Sequence, residues 1–164
     1  MKFKVTANAN GGVGINQFKF TIATTSATVT NLQLYGYVDS AYSTPISGFT
    51  AGAIHTAVQN TTAGALTITP TAVINVPAGT TYYFKLSGSI TASATTYAVT
   101  STLLGDASYP SLAVNMGTSA AVAGGNLVWS PNATTTSVAG HVDWTNGYGV
   151  SGLPSSGLIQ TRSN

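Results

Sequence analysis

A chain of 164 residues that is 43% hydrophobic can form one packed domain, burying roughly 70% of the surface its unfolded state exposes. Charged side chains make up only 5% of it, against about 25% in an ordinary soluble domain, and Thr, Ser, Asn and Gly carry the polar surface instead. With no cysteine, no glutamate and three aspartates (Asp39, Asp106 and Asp143), the composition excludes disulfides and thiolate metal sites and leaves few carboxylates for acid–base chemistry.

The formal charge of +2 and the pI near 9.0 do not point to nucleic acid. Lys2, Lys4, Lys19, Lys85 and Arg162 are dispersed, with only Lys2 and Lys4 close in sequence. Nucleic-acid affinity needs phosphate-neutralising cations gathered on one face. The opening "MKFKVTANANGG" turns polar where a signal peptide is apolar, and no stretch nears the about 20 apolar residues of a membrane helix. Met1 directly ahead of a strand-like segment reads as the start of a module trimmed from a longer, exported chain. No membrane insertion is expected.

Period-2 alternation begins at once. "KFKVTA" (2–7) sets Phe3, Val5 and Ala7 on one face. After the turn residues "NANGGVG", "INQFKFTIAT" (15–24) sets Phe18, Phe20 and Ile22 against Lys19 and Thr21. "VTNLQLYGYV" (29–38) aligns Leu32, Leu34, Gly36 and Val38, with Gln33, Tyr35 and Tyr37 opposite. Three shorter candidates follow, "IHTAVQ" (54–59), "ALTITP" (65–70) and "AVINVP" (72–77). "TYYFKLSGSI" (81–90) aligns Tyr82, Phe84, Leu86, Gly88 and Ile90 against Tyr83, Lys85 and Ser87; "YAVTSTLL" (97–104) and "NLVWSP" (126–131) come after it. Such alternation marks antiparallel strands with one buried and one wet face, and β-branched Thr and Val suit a pleated surface. Pro70, Pro77, Pro110, Pro131 and Pro154 stand at segment ends, where a missing N–H harms a ladder least. No amphipathic helix is evident.

The expected fold is all-β: a single antiparallel β-sandwich, Ig-like or jelly-roll-like, of about eight or nine strands. It spans residues 1–164, with 151–164 a less regular C-terminal exit. Its core should hold Phe3, Val5, Phe18, Phe20, Ile22, Leu32, Leu34, Phe84, Leu86 and Leu127. Near the end, Asn146-Gly147 in "DWTNGYGVSGLPSSGL" is the preferred pair for a type I′ hairpin turn. That turn would set Trp144 opposite Gly149, the ring covering exposed backbone there.

Candidate chemistry is sparse. His141 and Asp143 in "HVDW" would share a face of a strand, but two ligands are too few for a metal. Asp39 and Asp106 precede small polar residues, as in Asx-turns. There is no G-x-S-x-G elbow and no pair of carboxylates to select. We therefore expect no enzyme, no catalytic residues, no metal and no cofactor. Tyrosines are the better binding candidates: Tyr35, Tyr37 and Tyr83 lie opposite the apolar rows of their strands, and Trp144 and Tyr148 flank the closing turn. Such rings can stack on sugars or fill a protein interface, or pack across strands on the same sheet.

Taken in order, "FKVTANANGGVGINQFKFTIAT", "NVPAGTTYYFKLSGSI", "LLGDASYPS", "LVWSPNATTT" and "DWTNGYGVSGLPSSGL" resemble a known family. It comprises the Ig-like β-sandwich modules of long secreted surface proteins from uncultivated ultrasmall bacteria (candidate phyla radiation). The resemblance covers nearly the whole chain, and it implies an extracellular or cell-surface location and a type of role, not a reaction. The expected function is a non-catalytic structural module (spacer, surface-layer or adhesive-filament building block) that packs against neighbouring domains or copies of itself. One alternative is a carbohydrate-binding module that takes surface glycans on exposed tyrosines. Another is a pilin-like subunit assembled by strand donation, in which the isolated chain lacks a strand or trades one with a partner.

Overall fold

The computed structural model describes residues 1–56, 59–61 (as backbone), 63–132 and 138–164. Among them, eleven strands form in chain order: β1 (Lys2–Thr6), β2 (Val13–Thr25), β3 (Ala27–Tyr37), β4 (Gln59–Thr61), β5 (Gly64–Ile68), β6 (Ile74–Val76), β7 (Thr81–Ala92), β8 (Ala98–Leu103), β9 (Leu127–Ser130), β10 (Thr145–Asn146) and β11 (Leu158–Ser163). The helical content of the described residues is one 3-10 turn, Thr50–Gly52. No helix among them is long and apolar enough to cross a membrane. The fold is an antiparallel β-sandwich. Its count exceeds eight or nine because β10 and β11 lie in the C-terminal stretch, which carries no alternating signal. The expected strand 54–59 falls partly outside the described residues, and β4 starts at its last position.

One sheet has four strands in the order β1-β7-β3-β4. The other has seven and is organised around β2. Phe20 pairs with Leu66 of β5 on one side and Leu103 of β8 on the other, while Ile15 pairs with Ile74 of β6 and Trp129 of β9. Phe18 lies between Ile68 of β5 and Leu127 of β9. The long strand therefore carries β9 and β8 end to end along one edge, with β6 and β5 along the other. β10 and β11 extend β9 and β8 outward.

Two bulges keep apolar residues inward where strict alternation would turn them out. In β2 the pairing with β9 skips Asn16, so that Ile15 and Phe18 both reach the core despite their uneven spacing. In β3 the register with β7 slips between Thr30 and Gln33, and Asn31 takes a φ of 54° there. An asparagine tolerates this left-handed conformation better than most residues. Val29, Leu32 and Leu34 are all buried as a result.

Between the sheets, Phe18, Phe20, Ile22, Leu32, Leu34, Phe84, Leu86 and Leu127 are buried, as expected of the apolar faces. Phe3 and Val5 are only half-buried, a correction to the expected core. Phe3 does stack on Phe84 (centroids 5.2 Å apart, planes at 17°) and meets Phe18 edge-on. However, among the described residues β1 is an edge strand with a neighbour on one side alone, which leaves the flank of its inner face open.

The C-terminal segment departs most from expectation. Residues 151–157 are irregular, but 158–163, expected in the exit, form β11, paired with β8 from Leu158↔Leu103 to Ser163↔Ala98. The side chains of β11 are largely exposed. Ladder bonds and cross-strand contacts such as Thr100 Oγ1 to Thr161 Oγ1 (2.9 Å) hold it, with little hydrophobic burial.

Candidate functional site

Alternation turns Lys2 and Lys4 of β1, Tyr83 and Lys85 of β7, and Tyr35 and Tyr37 of β3 to the outer face of the four-stranded sheet. The register aligns Lys2, Lys85 and Tyr35 in one row and Lys4, Tyr83 and Tyr37 in the next. Three of the five basic residues, dispersed in sequence, thus meet three of the candidate tyrosines. The Lys85 Nζ lies 5.5 Å from the Tyr35 ring centroid and 5.7 Å from that of Tyr37, within cation–π range.

Tyr42, which the sequence reading did not single out, completes this cluster. Its ring lies 5.6 Å from Tyr37 and 6.1 Å from Tyr83, edge-on to both, and Lys2 Nζ sits 4.1 Å over it. Asp39 shapes the loop that places it. The carboxylate accepts the Ala41 N–H (2.9 Å), the Ser43 N–H and hydroxyl (3.2 and 3.1 Å) and the Thr44 N–H (2.5 Å), an extended version of the expected Asx-turn. These donors, the Thr44 amide foremost, hold the Asp39 carboxyl below the usual carboxylate range. Burial, reinforced by Tyr83, pushes the Tyr42 phenol up. Tyr37 is buried in consequence, and Tyr35 and Tyr83 remain half-exposed. Rings that meet edge-on beneath lysines form a packed cluster more than a flat stacking platform.

Trp144 and Tyr148 belong elsewhere. The expected Asn146-Gly147 hairpin does not form: β10 pairs with β9 (Thr145↔Trp129, Asn146↔Val128), and neither Asn146 nor Gly147 has a positive φ. The physical reason is Asp106. Its carboxylate accepts the N–H groups of Asn126 (2.9 Å), Leu127 (3.2 Å) and Gly147 (2.9 Å), which ties the Gly147 backbone to β9. Trp144 is fully buried in a small second core with Val122 and Val128. Its indole N–H donates to Val138 O (3.0 Å), and its backbone exchanges two hydrogen bonds with Gly117. A ligand has no access to that ring. Tyr148 instead meets Tyr109 edge-on at 4.6 Å, in a separate exposed pair.

The "HVDW" segment is bend and irregular backbone rather than strand up to Asp143, so His141 and Asp143 do not share a strand face. Asp143 is buried and accepts the Ser130 hydroxyl at 2.7 Å. Among the described residues, no group of three or more His, Cys, Asp or Glu side chains converges.

A broad concavity opens at the outer edge of β1. Met1 and Leu86 exchange both backbone bonds, and the Ala7 N–H donates to Thr80 O. Antiparallel pairs alternate between bonded and non-bonded positions, so odd residues of β1 face β7 while Lys2, Lys4 and Thr6 turn their N–H and C=O outward. At Lys2 a side chain fills the place of a neighbouring strand: the Lys2 N–H donates to Gln160 Oε1 (3.0 Å) and Gln160 Nε2 donates to Lys2 O (3.1 Å). Below this edge lies an apolar groove of about 1010 Å³ between the sheets, lined by Phe3, Val5, Trp129, Val150, Leu153 and Leu158 among others. These six side chains are all half-buried. Among the described residues, β1 is the last strand of the four-stranded sheet on this side.

No family model, curated protein or solved structure matches this chain. Two features of the described residues bear on function, the tyrosine and lysine face and the edge of β1 beside it.

Proposed function

We propose that this chain is a non-catalytic structural module of a bacterial cell-surface protein, displayed outside the cell and joined to neighbouring domains through the open edge of β1. The observation that carries this reading is the groove of about 1010 Å³ beneath an edge strand whose inner residues stay half-exposed. An apolar groove beside a sheet edge gives a partner's side chains a place to enter, and an unpaired strand edge offers a ready ladder. A polar surface built from Thr, Ser and Asn with few charges suits close packing between modules. The resemblance of its ordered segments to those of Ig-like surface modules supports the same role, and the edge position of β1 also supports the separate alternative of a pilin-like subunit assembled by strand donation.

A second reading, carbohydrate binding, draws on the half-exposed Tyr35 and Tyr83 beside Lys4 and Lys85. A glycan array probed with the chain and with Tyr35→Ala separates the two. The structural reading expects no specific glycan signal from either protein. A specific signal that Tyr35→Ala abolishes, with an unchanged unfolding transition, would replace it with the carbohydrate reading.

A further inference from the structure

We infer that the β1 edge accepts an extended strand from a separate polypeptide in which apolar residues alternate with carboxylates. This rests on the module reading above and names the chemistry of the partner. Lys4 and Thr6 present backbone donors and acceptors at the edge. The Gln160 amide occupies the Lys2 N–H and C=O that one residue of an incoming strand would bond with its own C=O and N–H, and a strand entering there can take that place. Successive side chains of an added strand point to opposite faces. Those sharing the face of Phe3 and Val5 enter the groove, where Trp129, Leu153 and Leu158 await apolar partners.

Residues directly opposite Lys2 and Lys4 share the outer face with them, with Cβ atoms about 5 Å apart. That face holds Lys2, Lys4 and Lys85. The nearby Asp39 carboxylate is occupied by loop amides. Charge complementarity therefore selects carboxylates at the outward positions. A second copy of this chain is a poor donor. It has no glutamate, and its aspartates Asp39, Asp106 and Asp143 lie outside the strands, engaged by loop and core donors. Pairing β1 with β1 of another copy would bring the lysine rows together. Lysines on an edge strand guard against such self-pairing, and the same charge draws an acidic strand in.

The test titrates the chain with a peptide of alternating Val and Glu, with its Val–Lys counterpart, and with a Val–Glu peptide interrupted by proline, while amide hydrogen exchange is followed by NMR. The Val–Glu peptide should bind and slow exchange at Lys4 and Thr6, and the other two should not. Lys2→Gln combined with Lys4→Gln, on the exposed edge, should weaken binding roughly tenfold, with only the small shift of the unfolding transition expected from losing the Lys2–Tyr42 contact. Equal binding of the Val–Lys peptide, binding that leaves Lys4 and Thr6 exchange unchanged, or no binding would overturn the inference and leave the lysines as guards alone. Slowed exchange at Lys4 on concentrating the chain without peptide would overturn it too, assigning the edge to a second copy. Glycan binding through Tyr35 tests the module reading separately, so the two can fail independently.

Discussion

Replacing Phe84 with Ala is expected to lower the unfolding free energy by about 3–5 kcal/mol. Phe84 is fully buried on the inner face of β7, stacked on Phe3 and packed against Phe18 across the sandwich at 5.2 Å. Its β3 partner is Gly36, and a Cβ there would meet Ile46 at 2.5 Å and the Phe84 ring at 3.3 Å. Gly36 is thus small because Ile46, Ile54 and Phe84 already fill the space beside it. With hydrogen-bonded sheets on both sides, the cavity left by alanine has no easy route to collapse, which places the cost high in the usual range. Chemical denaturation reads the effect as a lower midpoint at an unchanged slope. A midpoint that did not move would mean that the Phe84 ring is not at the centre of the core.

Asp106→Ala is expected to cost about 2–4 kcal/mol, through the backbone amides this carboxylate holds. Its carboxylate accepts three backbone N–H groups, from Asn126, Leu127 and Gly147, and the substitution strands all of them. Each buried orphan donor costs about 1–3 kcal/mol, and partial access of water keeps the total below the full sum. Asp106→Asn retains one acceptor oxygen and should recover part of the loss. The Gly147 amide resonance should shift in both variants. Stability within about 0.5 kcal/mol of the parent, the range of an ordinary surface change, would show that Asp106 does not fix the course of the chain into β10.

These two residues also show what can be read from the sequence and what cannot. Phe84 was legible because the inward and outward rows of β7 differ plainly, and the same holds for Phe18, Phe20 and Leu34. The bulges at Asn16 and Asn31 were not, since they break the period that carries the signal. The Asn146-Gly147 pair is a strong local turn signal, but the carboxylate of Asp106, about 40 residues earlier, overrides it through Gly147. β11 escaped notice because "LIQTRS" buries little and is held by its pairing with β8. For the candidate site, alternation put Tyr35, Tyr37 and Tyr83 on outward rows. Their meeting with Lys2, Lys4 and Lys85 needed the register of β1, β7 and β3, which no local pattern encodes. Tyr42 joins the face through the loop that Asp39 ties, and Trp144 is withheld from any surface because a second core encloses it.

The open edge of β1 underlies the whole functional account, and residue-resolved amide hydrogen exchange on the dilute chain tests it without any partner. Exchange should be slow at Phe3 and Val5, whose N–H groups face β7, and fast at Lys4 and Thr6 on the same strand. Lys2 should be intermediate, held by the side chain of Gln160 alone. Equal protection at all five positions would mean that the edge is already paired, which would contradict an edge left open for a partner.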